Sequence, residues 1–229
     1  MLFRSRGGGA NLQSAGELEV EKVLHQVMET VLADRDERPE AICLGMAGVD
    51  RPDDGEAVRG IMRRIGFKTR TVVVNDALVA LVAGAGDNPG VVIVAGTGSI
   101  AYGRDAAGHA ARAGGWGYLL GDEGGGFWIG RAALASAVRQ YDGRGPATLL
   151  TDMVLEQMQL ESPSQLIHEI YYRDLHRHAI AALALLVQRA ADAGDAVATE
   201  ILARAGTELA SAAASVIARL GDRKSTRLN

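Results

Sequence analysis

Apolar positions in the first part of the chain alternate between a helical and a strand-like spacing. Apolar side chains recur every three or four residues at 17–33, 56–65 and 77–85, which predicts three amphipathic helices. Short continuous apolar runs at 41–47 and 71–74 separate these helices and are typical of buried strands. Strands that alternate with helices in this way predict an α/β fold on a parallel or mixed sheet.

The middle of the chain changes to strands joined by glycine-rich turns. β-Branched residues at 91–95 and a second strand-like piece at 100–103 flank Gly96-Thr97-Gly98-Ser99, which predicts a hairpin. Glycines let a backbone approach a ligand and turn its N–H groups toward it, and Thr97 and Ser99 add hydroxyl donors. We interpret the turn as a cradle for phosphate oxygens, although an ordinary glycine hairpin explains this motif alone equally well. The glycine clusters at 114–117 and 121–126 favour a ligand site.

The length of the chain is compatible with two lobes, and its composition argues against nucleic-acid and membrane partners. The chain has 229 residues, a net charge of −4 and a pI near 5.8. The turn at 87–90 is the best candidate for a lobe boundary. A helix is predicted at 127–141, and 148–221 is predicted to be almost wholly helical. No basic stripe is evident, so nucleic acid is not an expected partner. We identify no stretch in the sequence that is long and apolar enough to span a membrane, and we expect no membrane partner.

The single cysteine, Cys43, lies inside the first strand-like run. We expect it to be a small core residue. One cysteine excludes an internal disulfide and fits a reducing, cytoplasmic setting.

Four polar residues outside the hairpin are candidate ligand contacts. Asp76 follows the second strand, where α/β sheets place their ligands, and would be a catalytic carboxylate or else the N-cap of the next helix. Asp50 follows the first strand and is a candidate for a magnesium ligand or a turn aspartate. Asp122 would accept hydrogen bonds from ligand hydroxyls or complement a helix N-terminus. Asn11 would present an amide to a ligand or cap the first helix.

Five motifs in this order resemble a known family. They are Gly-Gly-Gly-Ala-Asn-Leu-Gln-Ser-Ala-Gly at 7–16, Leu-Gly-Met-Ala-Gly-Val-Asp at 44–50, Val-Asn-Asp-Ala at 74–77, Val-Ala-Gly-Thr-Gly-Ser at 94–99, and Gly-Gly-Trp-Gly-Tyr-Leu-Leu-Gly-Asp-Glu-Gly at 114–124. Together they resemble the N-acetylglucosamine kinase branch of the BadF/BadG/BcrA/BcrD ATPase family, within the actin/hexokinase/heat-shock-protein-70 superfamily. The resemblance implies an α/β, ribonuclease-H-like fold of two lobes, with ATP, Mg²⁺ and an amino sugar between them.

The resemblance also implies roles for individual residues. Asp76 would be the general base facing the sugar hydroxyl. The turn residues Gly96, Thr97, Gly98 and Ser99 would hold the β- and γ-phosphates of ATP. The sugar pocket would be lined by Asn11, Gly115, Trp116 and Asp122.

The resemblance leaves both ends of the fold incomplete. Nothing before Arg6 resembles the family's first phosphate loop, and nothing after Gly221 resembles its adenosine motif. We expect 6–88 to be a remnant of the N-terminal lobe with the sugar loop and catalytic aspartate, and 89–221 to be the C-terminal lobe. The stretches 1–5 and 222–229 resemble adapter-encoded tails, and we exclude them from reasoning about the fold. We expect this fragment to be inactive alone.

Three functions remain open at this point. The first is a kinase for N-acetylglucosamine or a related amino sugar, with a homodimer as one allowed assembly. The second is an activator ATPase of the 2-hydroxyacyl-CoA dehydratase or benzoyl-CoA reductase type, which holds a metal cluster between subunits with cysteines; the lone Cys43 disfavours it. The third is a non-catalytic sugar-sensing regulator on the same fold.

Overall fold

The structure, a computed structural model, describes residues 7–10, 12–33, 39–49, 51–173 and 175–225. The chain divides into two compact units, Met1–Asp87 and Asn88–Asn229. Asn11 and Asp50 lie outside the described residues, so their predicted roles stay predictions.

The described residues of the first unit form three helices and a pair of parallel strands. Its elements in chain order are α1 (Leu12–Leu32), β1 (Ala41–Met46), α2 (Pro52–Arg64), β2 (Arg70–Asn75) and α3 (Asp76–Ala85). The strands β1 and β2 pair in parallel, with Ala41 opposite Arg70 and Met46 opposite Asn75. This confirms the predicted alternation of strands and helices.

Two helices of this unit begin earlier than predicted, for local reasons. The predicted start of α1 at 17 coincides with a kink at Gly16, whose φ of 77° interrupts the helix. The helix α2 begins at Pro52, because proline suits the first helical turn and the Asp54 carboxylate accepts a 3.0 Å hydrogen bond from the Arg51 N–H.

The expectation that Cys43 is a core residue was wrong, because its side chain is exposed. Side chains of a strand alternate between the two faces of a sheet. Ile42 and Met46 are buried in the core of this unit, whereas Cys43 points to the opposite face. On that face the Val79 side chain of α3 lies against Gly45.

The second unit joins an antiparallel sheet to a helical layer. Its strands are β3 (Gly90–Ala95), β4 (Ser99–Arg104) and β5 (Ala110–Gly114), in the spatial order β3-β4-β5. The helices are α4 (Gly126–Tyr141), α5 (Leu150–Met158), α6 (Leu166–Tyr171), α7 (Arg177–Ala182), α8 (Ala184–Asp192) and α9 (Ala196–Ser225), with a short 3-10 turn at Pro163–Gln165. The hairpin β3–β4 confirms the prediction, and the strand β5 was not predicted.

The long helix α9 covers the sheet of this unit. Within it, Ala196–Gly221 is long and apolar enough by length and composition to cross a membrane, so the sequence prediction of no such stretch was wrong. Val216 and Leu220 are nevertheless buried against Ala101 and Ala111 of the sheet. A core helix of this length and composition would be mostly buried, whereas 17 % of the most apolar part of α9 is buried. The helix therefore packs on the sheet through a minority of its residues.

Candidate functional site

The turn between β3 and β4 is fixed against the first residues of α4. The Gly96 N–H donates a 2.9 Å hydrogen bond to the Gly98 carbonyl, which closes the turn. From α4, the Gly126 N–H donates to the Gly96 carbonyl at 2.8 Å and the Phe127 N–H donates to the Thr97 carbonyl at 2.9 Å. Within the described part of the chain, the N–H groups of Thr97 and Gly98 donate no hydrogen bond, and they remain available to a ligand.

Glycines allow the hairpin and the loop at 121–126 to meet backbone to backbone. A Cβ at Gly98 would lie 2.7 Å from the Asp122 Cγ, and one at Gly125 would lie 2.6 Å from the Gly98 carbonyl carbon. A side chain at Gly125 would require movement of the backbone, and one at Gly98 would require the Asp122 side chain to move. The β3–β4 turn and the loop at 121–126 therefore form a single structure, which we call the glycine cradle (96–99 and 121–126).

Ser99 ties this cradle together from the inside. Its side chain is 9 % exposed, and its hydroxyl donates a 2.6 Å hydrogen bond to the Glu123 carbonyl. Its carbonyl accepts a 2.9 Å hydrogen bond from the Gly115 N–H. Because that hydroxyl is already engaged, Thr97 is the residue of the turn whose hydroxyl is better placed to serve a ligand.

Asp122 occupies a strained and half-buried position in the cradle. Its φ of 63° lies in the left-handed region, which aspartate tolerates better than most residues. Burial raises the pKa of this carboxyl group, and the nearby Glu123 charge acts in the same direction. Hydrogen bonds from the backbone of Gly117 and Ser99, with the charge of Arg177, oppose the rise in pKa. The carboxylate is thus held in place by the chain and lies directly against Gly98.

Gly115 and Trp116 lie on the side of the cradle next to β5. Gly115 has a φ of 69°, and a Cβ there would lie 2.9 Å from the Ile100 Cδ1. The Trp116 side chain is 58 % exposed, and the Arg112 guanidinium lies 4.9 Å from its ring centroid. Trp116 therefore offers an exposed aromatic surface beside the loop that holds Asp122.

A cavity of about 270 Å³ adjoins the cradle between the sheet and α9. Ser99, Gly114 and Glu123 line it from the side of the cradle. Glu208, Leu209 and Ser215 line it from α9. The cavity places open volume beside the hairpin and inside the second unit.

Sequence reasoning missed two residues at the cradle, Arg177 and His178. The His178 Nδ1 lies 3.0 Å from the Thr97 Oγ1. The Arg177 guanidinium lies 4.9 Å from the Tyr118 ring centroid. The sequence offered one signal that another segment packs here. Gly126 and Gly130 are four positions apart, so both lie on one face of α4 and allow another segment to approach that face.

Asp76 lies in the first unit, where β2 ends and α3 begins. The alternative that Asp76 caps this helix was wrong, because the cap is Asn75, whose Oδ1 accepts a 2.8 Å hydrogen bond from the Ala77 N–H. No hydrogen bond or ion pair joins the Asp76 carboxylate to the part of the chain that the structure describes. The carboxylate is half-buried and lies in the first turn of α3.

The remaining predictions about the site are not decided by these contacts. Among the described residues no group of three or more His, Cys, Asp or Glu side chains is arranged to hold a metal ion. The convergence of Asn11, Asp76 and Asp122 on one cleft stays a prediction.

Comparison with known proteins decides the family. The sequence profile of the BadF/BadG/BcrA/BcrD ATPase family matches residues 1–228. The chain belongs to this family. It is 39 % identical over 205 residues to the N-acetylmuramic acid/N-acetylglucosamine kinase of Clostridium acetobutylicum, which covers 88 % of this chain and 67 % of that protein. It is 37 % identical over 207 residues to the N-acetyl-D-glucosamine kinase of Dictyostelium discoideum, which covers 88 % of this chain and 65 % of that protein.

Solved structures agree with the family on the fold. A crystal structure from Chromobacterium violaceum, assigned as an N-acetylglucosamine kinase, matches with a TM-score of 0.77 at 28 % identity over 91 % of this chain and 72 % of that one. A second structure with the same assignment, from Porphyromonas gingivalis, matches with a TM-score of 0.65 at 21 % identity over 96 % of this chain and 83 % of that one. The fold is the α/β actin/hexokinase ATPase fold, and the chain spans about two thirds of the length of the curated relatives that it matches.

Proposed function

We propose that the full-length protein is an ATP-dependent kinase that phosphorylates a hydroxyl of N-acetylglucosamine or a related amino sugar. The observation that carries the proposal is the glycine cradle. There the N–H groups of Thr97 and Gly98 are available to a ligand, and the Asp122 carboxylate lies beside them because Gly98 has no side chain. The curated relatives at 39 % and 37 % identity bear the names of amino-sugar kinases, and this favours a kinase over an activator ATPase.

The hairpin suits the phosphates of ATP. Backbone N–H groups that point outward from a glycine turn attract anions, and the Thr97 hydroxyl adds one donor. When bound, ATP supplies the phosphoryl group and Mg²⁺ neutralises charge on its phosphates. Mg²⁺ usually keeps several waters and takes only one or two protein carboxylates, so the proposal needs no cluster of three ligands. Asp50 remains our candidate ligand, and the cavity beside Ser99 offers room for more of the nucleotide.

Asp76 suits the task of a general base toward the acceptor. A base must be free to receive a proton from the sugar hydroxyl and must lie within hydrogen-bonding distance of it. The cap at Asn75 leaves Asp76 free for this task. We assign the binding of the sugar to Asp122 and Trp116, with Gly115 shaping the loop and Asn11 completing the set. Asp122 offers paired oxygen atoms for vicinal hydroxyls, and Trp116 offers an exposed ring face.

The proposed function also implies a cellular location and a class of partner. We assign it to the cytoplasm, with a small-molecule amino sugar as its partner and without nucleic acid or membrane partners. A homodimer is the assembly to test first.

A screen of sugars tests the proposed function. The purified full-length protein is incubated with ATP, Mg²⁺ and N-acetylglucosamine, N-acetylmuramic acid, glucosamine or glucose, and both ADP release and the mass of the sugar product are measured. We expect a sugar monophosphate from at least one amino sugar, and its formation should be much slower with the Asp76→Asn variant. ATP hydrolysis without sugar phosphate would favour the activator ATPase, and sugar binding without turnover would favour the regulator.

A further inference from the structure

The segment that carries His178 is held rigidly beside the glycine cradle. The helix α7 packs on α4 so closely that a Cβ at Gly130 would overlap the Ile180 carbonyl oxygen. A Cβ at Gly126 would lie 3.3 Å from the Ala181 Cβ. The same Gly126 donates its N–H to the Gly96 carbonyl, so one turn of α4 holds both α7 and the β3–β4 turn.

This arrangement brings His178 to Thr97 from a distant part of the sequence. The His178 Nδ1 lies 3.0 Å from the Thr97 Oγ1, although 81 positions separate the two residues. His178 is exposed, and the nearest cation on the same helix, Arg177, is directed at the Tyr118 ring instead. Thr97 is therefore the neighbour that gives this imidazole a specific hydrogen-bonding task.

We infer that His178 is a positioning residue for phosphoryl transfer, which acts by orienting the Thr97 hydroxyl toward a phosphate oxygen of ATP. The inference rests on the proposed function. A hydroxyl has one proton to donate and can also accept a hydrogen bond. When the His178 Nδ1–H donates to the Thr97 Oγ1, the hydroxyl proton is free to point at a phosphate oxygen.

The opposite tautomer would work against phosphate binding. An unprotonated Nδ1 would accept the Thr97 proton, and the hydroxyl would then present only lone pairs to an anion. A bound phosphate therefore selects the arrangement in which His178 donates. Donors that are held in place before the reaction stabilise the charge of a transition state more than donors that must reorient.

Variants at both ends of this hydrogen bond test the inference in the full-length protein. We expect His178→Ala to lower kcat about tenfold, the usual effect of losing one oriented hydrogen bond, with little change in the KM for the sugar. The His178→Asn variant keeps an N–H donor near the place of Nδ1 and should recover most of this loss. His176→Ala is the matched control, because that histidine is exposed, lies two positions away and caps α7 through no side-chain hydrogen bond.

A double-mutant cycle separates orientation of Thr97 from a general loss of stability. If His178 acts through Thr97, the pair Thr97→Val and His178→Ala should lose no more kcat than Thr97→Val alone. Multiplied losses, or a loss that His178→Asn does not recover, would overturn the inference.

A binding measurement keeps the inference separate from the proposed function. Calorimetric titration with ATP and Mg²⁺ should show weaker binding for His178→Ala and restored binding for His178→Asn. A wild-type protein that binds ATP but phosphorylates none of the sugars would refute the proposed function alone. Equal ATP affinity and equal kcat in wild type and His178→Ala would refute the role of His178 alone.

Discussion

At the residue scale, the surroundings of Asp76 and Asp122 support the different tasks that we propose for the two side chains. Asp122 is held by hydrogen bonds from the backbone of Gly117 and Ser99 and lies against Gly98. Asp76 does not cap α3, because the N-cap of that helix is Asn75. A carboxylate with a fixed position suits binding, and a carboxylate without a partner suits proton transfer.

The removal of the proposed base should affect turnover rather than sugar binding. We expect Asp76→Asn to lower kcat by roughly 100-fold or more, because the amide cannot accept the proton of the sugar hydroxyl. Steady-state kinetics over both substrates measure the change. Asp53→Asn is the control, since Asp53 lies in the first turn of α2 and is exposed. Near-normal turnover of Asp76→Asn would remove Asp76 from the reaction.

A change at Asp122 should weaken sugar binding. Asp122→Asn keeps the size of the side chain beside Gly98 but loses the charge, so we expect the KM for the sugar to rise about tenfold or more. ATP affinity, measured by calorimetry, should change much less. If ATP binding fell and the KM for the sugar did not rise, Asp122 would belong to the nucleotide site instead.

At the scale of elements, the hairpin β3–β4 and the helix α9 are each anchored by one local arrangement. The hairpin depends on glycines where its turn meets the loop at 121–126. The helix α9 begins beside Asp195, whose Oδ1 accepts from the Ala198 N–H at 2.8 Å and whose Oδ2 accepts from the Leu149 N–H at 2.6 Å. Single substitutions at either place should have effects beyond the residue itself.

A larger side chain in the hairpin should block the nucleotide. We expect Gly98→Val to abolish measurable ATP binding in calorimetry, because its side chain would overlap the Asp122 carboxylate and fill the turn. Gly206→Val in α9 is the control, since a Cβ at Gly206 meets nothing within 4 Å. ATP affinity that survives in a folded Gly98→Val protein would make the hairpin purely structural.

The loss of Asp195 should destabilise the second unit. Asp195 is 8 % exposed and also accepts a 2.9 Å hydrogen bond from the Thr148 hydroxyl. We expect Asp195→Ala to lower the free energy of unfolding by about 2–4 kcal/mol in urea titrations, since several buried donors lose their acceptor. The exposed Asp192→Ala should cost less than about 0.5 kcal/mol. Similar midpoints for the two variants would contradict this view of Asp195.

The same carboxylate predicts a dependence of stability on pH. Burial opposes ionisation of Asp195, but hydrogen bonds from Ala198, Leu149 and Thr148 outweigh it and lower its pKa. A lowered pKa in the folded state stabilises the protein above the pKa of the unfolded chain, about 3.9 for aspartate, and this contribution disappears as the pH falls through the folded value. The stability difference between wild type and Asp195→Asn should therefore be full at neutral pH and shrink below about pH 4. A stability difference that stays constant with pH would show that the charge of Asp195 does not contribute to stability.

At the scale of the whole molecule, the roles that we propose fall on residues of both units. The proposed base belongs to the first unit and the glycine cradle to the second. In hydrogen exchange, a non-hydrolysable ATP analogue with the sugar should slow amide exchange both near 70–85 and near 96–127, because ligands stabilise the regions they contact. The ATP analogue alone should act mainly on the second region. Protection confined to one unit in the ternary complex would contradict a shared reaction.

The sequence by itself determined the features that depend on neighbouring residues. Apolar periodicity predicted the parallel strands and helices of the first unit, and glycine between β-branched runs predicted the hairpin β3–β4. The motifs at 94–99 and 114–124 predicted the family, which the comparisons confirmed. These signals are local, because side-chain period and turn chemistry are set within a few residues.

Only the tertiary structure decided which side chains meet. The exposure of Cys43 depends on what covers each face of β1, and the strand β5 depends on pairing with β4. The engagement of Ser99 by Glu123 and of Thr97 by His178 joins residues 24 and 81 positions apart. Contacts at such separations arise from the packing of whole elements, here through Gly126 and Gly130 of α4, and no local pattern encodes them.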